Sequence, residues 1–163
     1  AHTTLGALEL LRGFPFDTVM FPINFVEYYT KGFGKEVLAL AQEQGAAVIS
    51  IKPLSWGQWP QGMEQNRKWW YRSTEELKDA ELAMRFVLSQ PGVVTAIPTS
   101  FFDLLDVAIA AAKNFKPLDE PAIAQLKQMA DGCGSIFARE EKMVAMNWPA
   151  GEPTYPDCPH AYA

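Results

Sequence analysis

The chain has 163 residues, 48% of them hydrophobic and 12% aromatic, which suits one ordinary domain with a real core and excludes a disordered or fibrous polymer. A formal net charge of -5 argues against nucleic acid as the main partner, because phosphate binding needs a basic surface. No apolar run approaches the roughly 18 residues of a bilayer span, so no membrane partner is expected.

The opening Ala1-His2-Thr3-Thr4 has neither a basic nor an apolar leader segment, which makes a cytoplasmic setting the expectation. A start on Ala-His without Met further suggests a chain that has been processed, trimmed or cut from something longer.

Leu5, Leu8 and Leu11 recur at helical spacing behind Thr3 and Thr4, which can cap a helix over residues 4–12; Gly13 and Pro15 stop it. The mostly apolar run 17–23 follows a turn signal and reads as a buried strand. Val37, Leu38, Leu40 and Ala41 predict a second helix over 34–44, ended by Gly45, and residues 46–51 predict a second buried strand that stops at Lys52-Pro53. From Leu54 to Arg72 the pattern breaks into Trp, Gly, Gln and Pro, a long loop of the kind that usually has a function.

Ser73 and Glu76 carry a capping-box signature ahead of a helix whose face is Leu77, Ala80, Met84, Val87 and Leu88. Residues 93–97 predict a third buried strand, closed by Pro98-Thr99-Ser100. Leu104, Leu105, Ala108, Ala111, Ala112 and Phe115 then predict a helix. Asp119 starts another, running through Met129, with Pro121 tolerated in its first turn. The last 17 residues, 147–163, hold four of the chain's 12 prolines and are expected to form an irregular tail.

Strands apolar on both faces, alternating with helices, are the mark of a helix-covered parallel sheet, either open or part of a (β/α)8 barrel. The ordered set of Ile51-Lys52-Pro53-Leu54, then Gly57, then the phrase from Leu88 to Pro98 resembles the aldo-keto reductase family over about residues 1–129. The resemblance implies an α/β fold: a partial (β/α)8 TIM barrel made of roughly the last three to four β/α units plus C-terminal helices. The half-barrel would occupy 1–146 and the tail 147–163. In family terms Ala1-His2 lies just beyond the fifth strand, 17–23 is the sixth, the Pro53-Leu54 phrase ends the seventh, and the Ala96-Ile97-Pro98 phrase ends the eighth.

The family's Asp, Tyr, Lys and His catalytic group lies on the first four strands, so the resemblance implies no catalytic residue here and an inactive isolated chain. It implies part of a cofactor site for NADP or NAD: Pro98, Thr99, Ser100 and Phe101 match the pyrophosphate and adenosine-ribose segment, and Lys52, Pro53 and Leu54 match the loop that closes over the cofactor. Phosphates favour helix N-termini, where free N–H groups point outward. Where family members often carry an Asn, a Gln and a Tyr against nicotinamide, this sequence has Ala1, Met20 and Ile51. At the adenosine end it has Phe101, Phe102, Val107 and Ala108. The implied substrate of the parent enzyme is a small carbonyl compound.

Other residues admit sharper and plainer readings. Lys52 could form a Schiff base, but a rim lysine with a buried stem is the ordinary case. His2, His160, Cys133 and Cys158 lack metal-ligand spacing, so no metal is expected. The tryptophans between Trp56 and Trp70 either line a cleft or cover the sheet's end, and Ser100 either caps its helix or holds phosphate. The alternative to a reductase fragment is a catalytically silent module. Three parallel strands without neighbours leave two free edges and an uncovered apolar face, which should drive homo-oligomer formation or capture of a partner protein.

Overall fold

The computed structural model describes residues 1–145. The predicted tail, with Cys158 and His160, lies outside the described residues. Three short strands, β1 (Thr18–Pro22), β2 (Ala47–Ile51) and β3 (Val93–Ile97), form one parallel sheet in the order β1-β2-β3. Met20 pairs with Ile49 and Pro22 with Ile51, while Ile51 in turn pairs with Ile97. The helices are α1 (Thr4–Gly13), α2 (Phe25–Lys31), α3 (Lys35–Gln44), α4 (Leu77–Leu88), α5 (Phe102–Lys113), α6 (Glu120–Ala130) and α7 (Ala138–Ala145).

Paired residues in a parallel sheet share a face, so register divides the side chains into two sets. Val19, Phe21, Val48 and Ser50 point into the helix-covered core and are buried. Met20, Ile49, Ile51, Thr95 and Ile97 share the other face, which stays largely open: Met20 and Ile97 are each 44% exposed. The third strand is expected to be buried, yet none of its five residues is buried, three are exposed, and Val94 is 65% exposed. Its apolar composition suits a strand meant to be covered on both sides, but as an edge strand it is covered on only one.

Two local expectations are corrected. Ser73 does not form the capping box: α4 has Glu76 at its N-cap position with no side-chain cap bond. Ser73 instead bridges Ser55, and the Thr74 N–H donates to the Leu54 carbonyl at 2.8 Å, so strand-like pairing across the loop wins over the local cap. Likewise the Thr3 hydroxyl makes no cap bond, and the Thr4 N–H donates to the Glu141 carboxylate of α7. Helix α2 was not predicted. Asn24 caps it by accepting from the Glu27 N–H at 3.0 Å, and Gly32, at φ 68°, ends it in the left-handed conformation that glycine adopts without penalty.

Candidate functional site

Because β2 and β3 are adjacent and parallel with Ile51 opposite Ile97, the segments that follow them leave the sheet side by side at its C-terminal end. Lys52, Pro53 and Leu54 are all buried there. Opposite them Thr99 is buried, Pro98 and Phe101 are half-buried, and Ser100 is exposed. The structure thus brings together the two segments that the sequence singled out 44 or more positions apart.

Lys52 carries the most unusual geometry. Its backbone lies at φ 55°, a left-handed conformation rare for a side-chain-bearing residue and held only when the surroundings impose it. The Lys52 Nζ reaches the His2 Nε2 at 3.2 Å and lies 5.6 Å from the centre of the Trp70 ring and 5.8 Å from that of Phe137. Such aromatic faces attract a cation. Ala1, placed beyond a fifth strand by the family resemblance, runs beside β1, where its amino group donates to the Met20 carbonyl at 2.9 Å.

The loop after Leu54 is tied at its neck. The Trp56 N–H donates to the Arg72 carbonyl at 2.7 Å and the Arg72 N–H to the Gly57 carbonyl at 2.9 Å. Beyond the neck, Trp69 packs edge-on against Tyr71 and Phe101, and Trp70 against Tyr71 and Phe137. Tyr71 is 2% exposed, and burial pushes its hydroxyl up to about 12. Trp69 and Trp70 therefore cover the end of the sheet, whereas Trp56 and Trp59 line a cavity on the loop's outer side.

Helix α5 starts at this same rim. Phe101 occupies its N-cap position and supplies no side-chain bond, so the first-turn N–H groups are left to other acceptors. The Asp103 carboxylate sits in this first turn and pairs with Arg67 from the long loop. Arg67 also donates from Nε to Glu75 at 2.7 Å and lies 5.2 Å from the centre of the Phe101 ring. The guanidinium bond holds the Asp103 carboxyl below its ordinary range, and the two carboxylates raise Arg67. Sequence reasoning missed this clamp, whose partners are 36 positions apart with no local signal. The Thr99 hydroxyl, buried between β3 and α5, has no hydrogen-bond partner among the described residues.

A second missed group braces the floor. Glu27 of α2 is 1% exposed, and its carboxylate accepts from Ser135 Oγ and from the Ile136 N–H, both at 2.6 Å. That fixes the turn carrying Phe137 under Lys52. The neighbouring Gly134 carbonyl accepts from the Gln58 N–H of the loop at 2.9 Å. Among the described residues no group of three or more His, Cys, Asp or Glu side chains is placed to hold a metal ion, and no helix is long and apolar enough to cross a membrane.

No family model matches the chain, and neither does any curated protein. Solved structures do. The holo form of aldo-keto reductase AKR11C1 from Bacillus halodurans superposes with a TM-score of 0.54 at 17% identity, over 83% of this chain and 50% of that one. Its apo form gives 0.53 at the same identity, over 83% and 51%. At that identity the likeness speaks for the fold, and the chain spans about half the length of the structures it matches. This protein is an α/β fold whose open sheet of three parallel strands matches half of an aldo-keto reductase barrel.

Proposed function

We propose that the chain is the cofactor-phosphate half of an NAD(P)-dependent aldo-keto reductase-like barrel, whose whole interconverts a small carbonyl compound and an alcohol. The observation that carries this reading is the juxtaposition of 52–54 and 98–101 at one end of the sheet, in a fold whose sites gather at the C-terminal ends of the strands. The residues suit a phosphate in three respects: a buried Thr99 hydroxyl in need of a partner, the open first turn of α5, and the Lys52 ammonium at the rim. Asp103 opposes an incoming anion, and Arg67 offsets it by pairing with that carboxylate.

In this reading Thr99 donates to a phosphate oxygen and Lys52 supplies charge, while Phe101, already stacked under Arg67, borders the adenosine end. When bound, the nicotinamide cofactor supplies the hydride. The residues that would activate a carbonyl belong to the other half of such a barrel, so the chain alone is proposed to be inactive. A cytoplasmic setting goes with this reading, and neither nucleic acid nor membrane has a part in it. Titration of Thr99→Val and Lys52→Ala with NADPH tests it: each substitution should weaken binding several-fold, and affinity equal to the parent chain in both would overturn the assignment of these residues.

The open sheet face favours a second reading, a self-associating module. Met20 and Ile97 on that face, Val94 on β3, Phe102 and Ile109 on α5, and Leu10 on α1 are all at least 43% exposed. They follow the face and flanks that a closed barrel would cover. Light scattering decides this point: a dimer or larger assembly at micromolar concentration supports it, and a stable monomer contradicts it.

A further inference from the structure

We propose that the cofactor this chain takes is NAD rather than NADP, and that Asp103 sets the choice by accepting from the free 2′-hydroxyl of the adenosine ribose. The inference rests on the cofactor-half reading and refines it, because the two cofactors differ only by a phosphate at that position.

A 2′-phosphate adds about two negative charges and calls for a cation, usually an arginine. The segment that would meet it has none to give. Residues 98–112, from the end of β3 through most of α5, contain Asp103 and Asp106 and no Lys or Arg. Both aspartates are exposed. The cation that reaches Phe101, the ring bordering the adenosine end, is Arg67, 5.2 Å from the ring centre. It is already committed. Its Nε donates to Glu75 at 2.7 Å, one terminal nitrogen donates to Asp103 Oδ1 at 3.2 Å, and the other pairs with Oδ2 of the same carboxylate. One guanidinium against two carboxylates leaves this group with a net charge of -1, to which Asp106 adds. A 2′-phosphate that took Arg67 from Asp103 would leave that carboxylate unpaired beside it, with two acceptors facing each other. Lys68 follows Arg67 in the loop, yet no ion pair, hydrogen bond or ring contact joins it to α5 among the described residues.

The same carboxylate suits a ribose diol. The Asp103 side chain is 61% exposed, so it can accept from a ligand while it holds Arg67. A carboxylate offers about four lone-pair sites, of which the bidentate guanidinium occupies one on each oxygen. The bond from Arg67 holds the Asp103 carboxyl below its ordinary range, which keeps it ionised at neutral pH. A hydroxyl donates to such a group and a phosphate is repelled by it, the chemistry by which an acidic residue reads the ribose of NAD in dinucleotide-binding folds. Ser100, also exposed, donates to a hydroxyl or a phosphate alike and so does not decide between them.

The experiment is a pair of titrations of the full chain, with NADH and with NADPH, read by cofactor fluorescence at low and at physiological salt. NADH should bind roughly ten-fold tighter, and the preference should narrow as salt screens the exposed charges. In Asp103→Ala, NADH should weaken a few-fold while NADPH tightens, which brings the two close to parity; Lys68→Ala should keep the ratio of the parent chain. NADPH binding as tightly as NADH, a ratio that moves with Lys68, or an Asp103→Ala chain that circular dichroism shows folded and that keeps the parent ratio would each overturn the inference and leave the cofactor-half reading standing. Binding of neither cofactor at millimolar concentration would overturn both.

Discussion

Replacing Glu27 by alanine removes the acceptor for two hydrogen bonds at once, and the structure sets the size of the loss. The side chain is 1% exposed, with Oε2 accepting from Ser135 Oγ and Oε1 from the Ile136 N–H. The same Ser135 oxygen accepts from the N–H groups of Phe137 at 3.2 Å and Ala138 at 3.0 Å, so the carboxylate fixes the residue that starts α7. Each bond to a charged acceptor contributes about 1.5–3 kcal/mol, against which stands the cost of keeping a carboxylate out of water. Glu27→Ala should therefore destabilise the fold by about 2–4 kcal/mol, a fall in Tm of roughly 5–15 °C for a chain of this size. Glu27→Gln, which keeps one acceptor oxygen and gains a donor for Ser135, should cost about half as much.

The same residue gives a pH dependence of definite sign. Burial raises the Glu27 carboxyl above its ordinary value of 4.5, with the nearby Glu141 adding to it, while the bonds from Ser135 and Ile136 and the charge of Lys31 oppose it. A carboxyl raised in the folded state binds its proton more tightly there than in the unfolded chain. Its pH-linked contribution is thus complete below 4.5 and declines as pH climbs through the raised value. Urea melts of the parent chain and Glu27→Gln from pH 4 to 7 read this directly: the stability gap should be widest at pH 4 and narrow toward pH 7. A gap that is constant or that widens with pH would refute the reasoning, because it would mean that the hydrogen bonds outweigh burial.

Three further outcomes are expected. Gly57 sits at φ 78°, and a Cβ there would lie 2.7 Å from the Gly134 carbonyl oxygen; Gly57→Ala should lower stability by about 2 kcal/mol or more and speed protease cleavage within the loop. Asp103→Ala removes the carboxylate that competes for the first turn of α5 and should tighten NADPH roughly two- to five-fold in a fluorescence titration; weaker binding would mean that the Arg67 clamp matters more than the free terminus. Tyr71, pushed up to about 12 by burial, loses its contribution as pH rises from 10 toward that value, so Tyr71→Phe should flatten the alkaline decline of Tm above pH 10.

What could be read from the sequence was what depends on neighbours in the chain. The run from Ala47 to Ile51 and the phrase from Val93 to Ile97 are short, apolar and bounded by Gly and Pro, and both form strands where expected. Asp119 caps α6 by accepting from the Ala122 N–H at 2.9 Å, as its place before Pro121 implies. Helix α2 escaped because five of its seven residues, Phe25, Val26, Tyr28, Tyr29 and Thr30, are aromatic or β-branched and carry no clear helical period. The capping box at Ser73 failed because pairing with Ser55 across the loop outweighed a local bond.

The family resemblance implied that 52–54 and 98–101 serve one site, and the parallel register of β2 and β3 sets both segments at the same end of the sheet. The clamp of Arg67 between Asp103 and Glu75, the brace of Glu27 on Ser135 and the approach of His2 to Lys52 had no such signal, since each joins positions whose meeting only tertiary packing decides. The open face of the sheet was legible only indirectly, from three strands that lack neighbours to close them into a barrel.

The measurement that bears most directly on the cofactor-half reading is a titration of the purified chain with NADPH, watching both cofactor fluorescence and tryptophan quenching, with a small aldehyde added at saturation. The account predicts saturable binding, weakened several-fold in Thr99→Val, and no oxidation of NADPH when the aldehyde is added. Absence of binding at millimolar NADPH, or oxidation that depends on the aldehyde, would contradict it.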